Sequence, residues 1–433
     1  MSKYVISISS GVYTRGMGGT NKVILSHQKM FNKYGIKYVY LCPVENGVTN
    51  KLRIVTKGYW NLIVDGEYQG VVNELRFQDF RNKQFQDGNE EVAVFLHHFK
   101  GIDYDSLKQI LKQNNSNIYI YIHDYYLICE NYNLLDDEGN YCGDEGLKIK
   151  CVRCPHYKRS LTIQFLFREL MNSISNNIRF VAPSDAAKLI WTKTYPEFSE
   201  EVLVIYHQKL FGEYEWNFSK LNKESSVKIA FVGAALRSKG WEDFVDVVKS
   251  SPKELGYKYY HFGMGGENNP NITTVPVVFH DGLNTMIEGL RNNEIDIAVL
   301  WSLWPETYSY TYYEAFASNA FIITNVNSGN MCDQVVKNNN GVVLADKKEF
   351  IQFLNNKSKL VSLVNAYRES GIKGPKLLQE NEDIVDIVLK SNTEPSRCND
   401  SRRLSLKVRV KCGLFAMSEM VVSKIKELIH ESH

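Results

Sequence analysis

The chain has 433 residues, long enough for two or three domains. Its 51 basic and 49 acidic side chains leave a net charge of +2, which excludes the global electrostatic pull of a nucleic-acid binder. A hydrophobic content of 44% with 23% charged residues is that of a globular protein, and no run of about eighteen apolar residues predicts a membrane span. The N-terminal stretch MSKYVISISSG lacks the long apolar core of a signal peptide and reads as a first strand. A cytoplasmic setting with reduced cysteines is the resulting expectation.

In chain order, apolar runs alternate with helical patterns. KYVISIS (3–9) predicts a strand, GVYTRGMGGT (11–20) a glycine-rich loop and NKVILSHQKMFNKYG (21–35) a helix. KYVYLC (37–42), EVAVFLHHF (91–99), IYIYIHD (118–124) and RFVAPS (179–184) predict further strands, with a helix at SLKQILKQ (106–113). Runs of this kind, unbroken by polar alternation, are buried on both faces and imply a parallel sheet. After residue 205 the pattern restarts. VKIAFVG (227–233) is a strand, AALRSKG (234–240) a loop and WEDFVDVVKS (241–250) a helix. YKYYHFG, TTVPVVFH, IDIAVLW, FIITN and GVVLA follow as short strands. The stretch 201–226 reads as a linker. The predicted fold class is therefore α/β, with two doubly wound, Rossmann-like domains at 1–205 and 206–390 facing a cleft, followed by a tail at 391–433.

Three loops carry polar groups at the expected carboxyl ends of strands. In Gly16-Met17-Gly18-Gly19, glycines between strand and helix allow positive φ or the close approach of a ligand, and the helix N-terminus offers N–H groups to an anion. A tight structural turn is the competing reading. Arg237 and Lys239, behind VGAAL, suit a diphosphate; the competing reading is a solvated basic pair. The third loop is PETYSYTYYEA (305–315) after the buried run IDIAVLW. Pro305 cannot continue a central strand, so Glu306 falls in a loop at the cleft. A helix is expected from about Thr307 or Ser309, which places Glu314 more than a turn further on. The two glutamates are too far apart to form a close acid/base pair. Glu306 can touch a reacting sugar, Glu314 can accept from a ribose diol, and the N–H groups near Tyr308 and Ser309 can face phosphate.

Two further segments stand apart. Cys129, Cys142, Cys151 and Cys154 lie in a polar loop at 129–154 that includes the C-x-x-C pair CVRC. Four thiols there suit a structural, non-catalytic zinc; free thiols or a redox-sensitive pair are the alternatives. In the tail, RRLSLKVRVKCG is basic, and Leu414, Met417, Val421, Ile425 and Leu428 share one helical face. That face either packs on the body or touches an anionic membrane or a partner.

The spacing Glu306, seven residues, Glu314-Ala315 after a buried strand, followed by ASNAFIITN and VNSGN, resembles the retaining glycosyltransferases of family 4, which have the GT-B fold. The FVG…KG loop, FHDGLN and NNNGVVL fall in the family's order, and the resemblance spans roughly residues 4 to 390. It implies a nucleotide-sugar donor and a glycan or lipid-linked acceptor in cell-surface polysaccharide synthesis. The domain at 1–205 would be the acceptor side and that at 206–390 the donor side. It also implies that Glu314 holds the ribose and Glu306 faces the donor sugar. Arg237 and Lys239 would hold the diphosphate, Gly18 and Gly19 would close over the phosphate side, and His123 would contact the transferred sugar. Ala234 stands where family members often carry Arg, which leaves that role to Arg237. Retention without a catalytic metal or other required cofactor is the implied mechanism. A nucleotide-sugar 2-epimerase would need further acid/base carboxylates in the cleft, and a non-catalytic scaffold would have no need of Glu306, Glu314 and Lys239 together.

Overall fold

The computed structural model describes residues 2–15, 18–44, 57–112, 116–143, 149–174, 177–213, 219–266, 269–277, 285–372 and 374–390. The expected FHDGLN segment and the amphipathic tail at 391–433 lie outside them.

The first half builds one eight-stranded sheet. Its strands are β1 (Lys3–Ile8), β2 (Ile36–Pro43), β3 (Trp60–Val64), β4 (Glu67–Val72), β5 (Glu90–Leu96), β6 (Asn117–Tyr121), β7 (Ile178–Ala182) and β8 (Val202–Val204), in the spatial order β4-β3-β2-β1-β5-β6-β7-β8. From β2 through β8 the neighbours are parallel, with Val5 paired to Tyr38 on one side and Ala93 on the other. Helices α1 (Gly19–Lys33), α2 (Glu74–Gln86), α3 (Tyr104–Lys112), α4 (Tyr157–Asn172) and α5 (Asp185–Thr194) form the crossovers. Ile6, Ile8, Val94 and Ile120 bury one face of the sheet, while Val5, Tyr38, Phe95 and Tyr121 bury the other. This is the alternation of a strand covered on both sides.

The sheet is not wholly parallel, as the apolar runs alone imply. β3 runs antiparallel to both β2 and β4. Asp65 (φ 52°) and Gly66 (φ 90°) form its two-residue turn, and the Asp65 carboxylate accepts from the Tyr38 N–H at 2.7 Å. An Asp-Gly pair between strands is the sequence signal for such a hairpin.

β9 (Gln208–Glu213) follows, then the second half. β10 (Lys228–Val232), β11 (Lys258–Phe262), β12 (Ile272–Val275), β13 (Ile297–Leu300), β14 (Phe321–Asn325) and β15 (Gly341–Leu344) form an all-parallel sheet in the order β12-β11-β10-β13-β14-β15. Helices α6 (Trp241–Ser250), α7 (Thr285–Asn292), α8 (Tyr310–Ala317), α9 (Asn330–Asn338), α10 (Lys347–Asn355) and α11 (Lys357–Glu369) accompany it.

The linker and the domain boundary differ from the sequence reading. Within 201–226, β8 is an edge strand of the first sheet, and β9 pairs antiparallel with β16 (Pro375–Glu380). The helix α12 (Asp383–Lys390) then returns to the first half, where Ile384, Val385 and Val388 join the core beneath Val5 and Phe95. Those side chains need an apolar cover, and the first sheet supplies it. Residues 383–390 thus pack with the first domain rather than the second.

One buried ion pair ties the first domain's layers. Arg81 of α2 meets the Glu91 carboxylate with Nε at 3.0 Å and Nη2 at 3.3 Å, and its Nη1 donates to the Ile110 carbonyl of α3 at 2.6 Å. Removing one partner of such a pair strands a buried charge. Glu91→Ala should therefore lower stability by about 3 kcal/mol, read from the midpoint of urea unfolding. A loss below about 1 kcal/mol would show that the pair behaves like an exposed one.

Candidate active site

The carboxyl edges of the two sheets enclose a cleft of about 530 Å³. Gly19, Thr20, Lys22, His123, Asp124 and His207 line it from the first half and the linker; Lys239, Glu306, Tyr308, Ser309 and Glu314 line it from the second.

Glu306 sits where Pro305 stops the strand direction of β13. Its backbone bridges to Gly329: its N–H donates to the Ser328 carbonyl at 3.3 Å, and its carbonyl accepts from Asn330 N at 3.0 Å. The φ of Gly329 is 62°, and a Cβ there would lie 2.7 Å from the backbone of Pro305, so only glycine lets the two loops approach. The Glu306 carboxylate is buried and accepts from the Lys239 ammonium and from Ser302 Oγ at 2.9 Å. Lys239 is aimed by Gly240, whose φ is 80° and whose Cβ would fall 2.1 Å from the Trp301 carbonyl. Its ammonium also lies 5.6 Å from the centroid of the Trp304 ring.

Glu314 lies in the second turn of α8. That helix begins at Tyr310, with the Ser309 hydroxyl accepting from Tyr312 N at 3.3 Å as its N-cap. Glu314 is buried, and the Lys22 ammonium stands 3.9 Å away, also 3.9 Å from the centroid of the Tyr310 ring. Burial pushes the Glu314 carboxyl above its usual range and Lys22 only partly offsets this; burial likewise lowers Lys22. Tyr308 is buried, stacks on Tyr313 with ring centroids 4.8 Å apart, and its hydroxyl is 3.5 Å from Gln208 Oε1.

From the first half, Gly18 caps α1 in extended conformation; no side chain caps that helix and no acidic residue lies in its first turn. A Cβ at Gly18 or Gly19 would meet no atom of the described residues within 4 Å. His123 follows β6, with its Nε2 2.9 Å from His97 Nδ1 and its carbonyl accepting from Thr307 Oγ1 at 2.6 Å. Burial holds His123 well below the usual imidazole range.

The structure brings His123, Gly19, Lys239, Glu306, Tyr308, Ser309 and Glu314 to one cleft, with Gly18 at its edge. It does not bring Arg237 there. Arg237 is exposed; its Nη2 donates to the Glu138 carbonyl at 2.5 Å and its Nε lies 3.6 Å from Glu242. The basic pair is split: within the single turn Arg237–Lys239, Arg237 reaches the Glu138 carbonyl while Lys239 reaches the Glu306 carboxylate. Sequence reasoning missed Lys22 and His207. Lys22 had a legible signal, a lysine in the first turn after the glycine loop. His207 had none, since it lies in the supposed linker. Its ring is near-parallel to Tyr310 at 5.9 Å, and burial pushes its pKa down to about 3.

The four cysteines show no ligand set. Among the described residues, no group of three or more His, Cys, Asp or Glu side chains is arranged to hold a metal ion. Cys129 accepts a long hydrogen bond from Ser160 Oγ at 3.5 Å, and burial keeps its thiol protonated beyond its usual range.

Two doubly wound α/β domains facing each other across the carboxyl ends of their strands make up the GT-B architecture of glycosyltransferases, and solved structures share it. WaaG, a glycosyltransferase involved in lipopolysaccharide biosynthesis, superposes with a TM-score of 0.51 at 12% identity over 90% of this chain and 100% of its own. TarM superposes with 0.52 at 11% identity over 90% and 99%. HepE of Anabaena, solved with UDP, gives 0.50 at 11% identity over 90% and 100%. No protein-family model and no curated protein matches the chain.

The Glu314 environment gives a pH signature. Its pKa in the folded state is raised above the unfolded value of 4.5, so folding disfavours the ionised form. Stability contributed by the protonated carboxyl is full below pH 4.5 and is lost as pH rises through the folded pKa. Glu314→Gln should therefore melt at a higher temperature than the parent near neutral pH, with the difference vanishing below pH 4.5. A lower melting temperature for the variant at neutral pH would mean that Lys22 outweighs burial.

Proposed function

We propose that this protein transfers a sugar from a nucleotide-sugar donor to a glycan or lipid-linked acceptor, with retention and without a catalytic metal. The observation that carries the reading is that Glu306, Glu314 and Lys239 line one interdomain cleft opposite the uncapped start of α1. Departure of the nucleotide places charge on a diphosphate. Lys239 is a cation at that edge, and the N-termini of α1 and α8 supply oriented N–H donors. The open space at Gly18 and Gly19 leaves room for phosphate against backbone. Glu314, buried on α8, accepts from the ribose diol and Glu306 faces the donor sugar.

Retention by front-face transfer is favoured because Glu306 is engaged by Lys239 and Ser302 rather than standing ready as a nucleophile. The acceptor proton would then pass to the departing donor phosphate. Arg237 could take a diphosphate only by leaving the 136–140 turn, so Lys239 takes first place in that role. UDP is the nucleotide to test first: HepE was solved with it, and a mutant of S. aureus TarM was solved with UDP and alpha-GlcNAc-glycerol. The fold and the basic residues of the tail support a role in cell-surface polysaccharide synthesis at the cytoplasmic face of a membrane, with 402–413 as the peripheral contact.

The test is a panel of UDP-, GDP-, dTDP- and ADP-sugars, read by thermal shift and by donor hydrolysis. One base should raise the melting temperature of the parent, and Glu314→Gln should weaken its binding by about tenfold or more. A parent that responds to none of the four is a scaffold rather than a transferase.

A further inference from the structure

The first half of the cleft is backed by a cluster of aromatic and imidazole rings, of which the transfer reading gives a task to His123 alone. His97, Tyr121 and His123 are near-parallel, with centroids 4.9 Å, 5.2 Å and 5.3 Å apart. His27 closes the cluster, with its ring 5.3 Å from His97 and its Nε2 3.1 Å from the Tyr121 hydroxyl. Of these imidazoles only His123 lines the cleft. His97 is 1% exposed and its backbone is fixed by a hydrogen bond to the Ile8 carbonyl at 2.8 Å.

The contact between His97 Nδ1 and His123 Nε2, at 2.9 Å, admits one proton between two nitrogens. In one arrangement, His97 carries its proton on Nδ1 and donates it to His123 Nε2; His123 then carries its own proton on Nδ1. In the other, His123 donates from Nε2, and His97 must carry its proton on Nε2. The choice is decided at the far side of the His97 ring, where the buried Nε2 has no hydrogen-bond partner among the described residues. The second arrangement buries an N–H with no acceptor among the described residues, and a buried donor left unpaired carries its full desolvation cost. The first leaves only a bare nitrogen there. Both rings are neutral near neutral pH because burial pushes their pKa values down, so neither arrangement can be replaced by an imidazolium pair.

The geometry points to His97 as a positioning residue that holds His123 in the Nδ1–H tautomer, so that His123 presents a fixed hydrogen-bond donor, and not an acceptor or a proton source, to the donor sugar. The tautomer itself follows from the free protein's geometry; its use on a sugar oxygen rests on the transfer reading above. In water the Nε2–H form of histidine is the commoner one, so a partner on Nε2 is what shifts the balance. The role parallels that of the partners that fix ring orientation and tautomer in other histidine sites.

Two readouts test this. The first is the side-chain nitrogen-15 spectrum of the free parent protein, labelled at histidine, which reports the tautomer with no substrate present. The expected result is an Nδ1–H signal for His123 that moves toward the Nε2–H form in His97→Phe. An Nε2–H signal in the parent overturns the proposal whatever the activity. The second readout is turnover of the sugar donor found by the panel above. His97→Phe keeps a flat ring in the stack but removes the donor, and should lower kcat/KM by about 10- to 100-fold. His97→Asn, whose amide N–H can stand where Nδ1–H stood, should recover most of that loss. Equal losses in Phe and Asn variants of unchanged melting temperature would overturn the positioning role. An Nδ1–H signal in a protein that turns over no donor would uphold the tautomer and remove only the transfer reading.

Discussion

Thr307, in the second half of the molecule, is held by two residues of the first. Its hydroxyl donates to the His123 carbonyl at 2.6 Å, and its carbonyl accepts from Ser184 Oγ at 2.7 Å. The neighbouring Glu306 is held by Lys239 and by the backbone around Gly329. The loop between Pro305 and Ser309 is thus the point where the second sheet's central strand meets the first sheet's carboxyl edge. With that loop fixed, α8 starts where it does, Glu314 faces Lys22, and the cleft has a floor. A shift in this loop would move both glutamates and His123 together.

The cleft concentrates charge that folding alone would not favour. Glu314 and Lys22 are buried, each displaced from its usual range by loss of water, and their separation of 3.9 Å is too long for a strong hydrogen bond. His123, His97, His27 and His207 are kept neutral by the same burial. Of these displaced groups Glu314, Lys22, His123 and His207 line the cleft, with His97 and His27 buried behind it, and perturbed groups gathered at a cleft mark a candidate functional site. The surrounding sheets, with Val5, Phe95, Ile229 and Ile323 fully buried, supply the rigidity that holds them there.

Arg237 illustrates how little a loop's composition says about direction. It is two residues from Lys239, yet its guanidinium crosses to the Glu138 carbonyl and packs against Gly139, where a Cβ would meet it at 3.2 Å. That contact joins the second domain to the polar loop that carries Cys129 and Cys142. The cysteine loop therefore takes part in the domain crossing through its backbone, apart from any use of its thiols.

Sequence by itself determined the strands whose apolar runs exceed local noise, the restart of the pattern after residue 205, and the loops that follow β1, β10 and β13. It also located Glu306 and Glu314, because Pro305 ends a buried run and a helix must follow at fixed pitch. The β3–β4 hairpin has its signal in Asp65-Gly66, outside the runs read above as strands. Only the tertiary structure decided the rest. β9 finds β16, and α12 returns to the first domain, because an edge strand and an apolar helix face take whatever partner the packed chain leaves near them. Lys22 meets Glu314, and His97 meets His123, across 292 and 26 residues of sequence, respectively (314 − 22 and 123 − 97). Distances of that kind are set by how two sheets pack, and no local pattern of residue types records them.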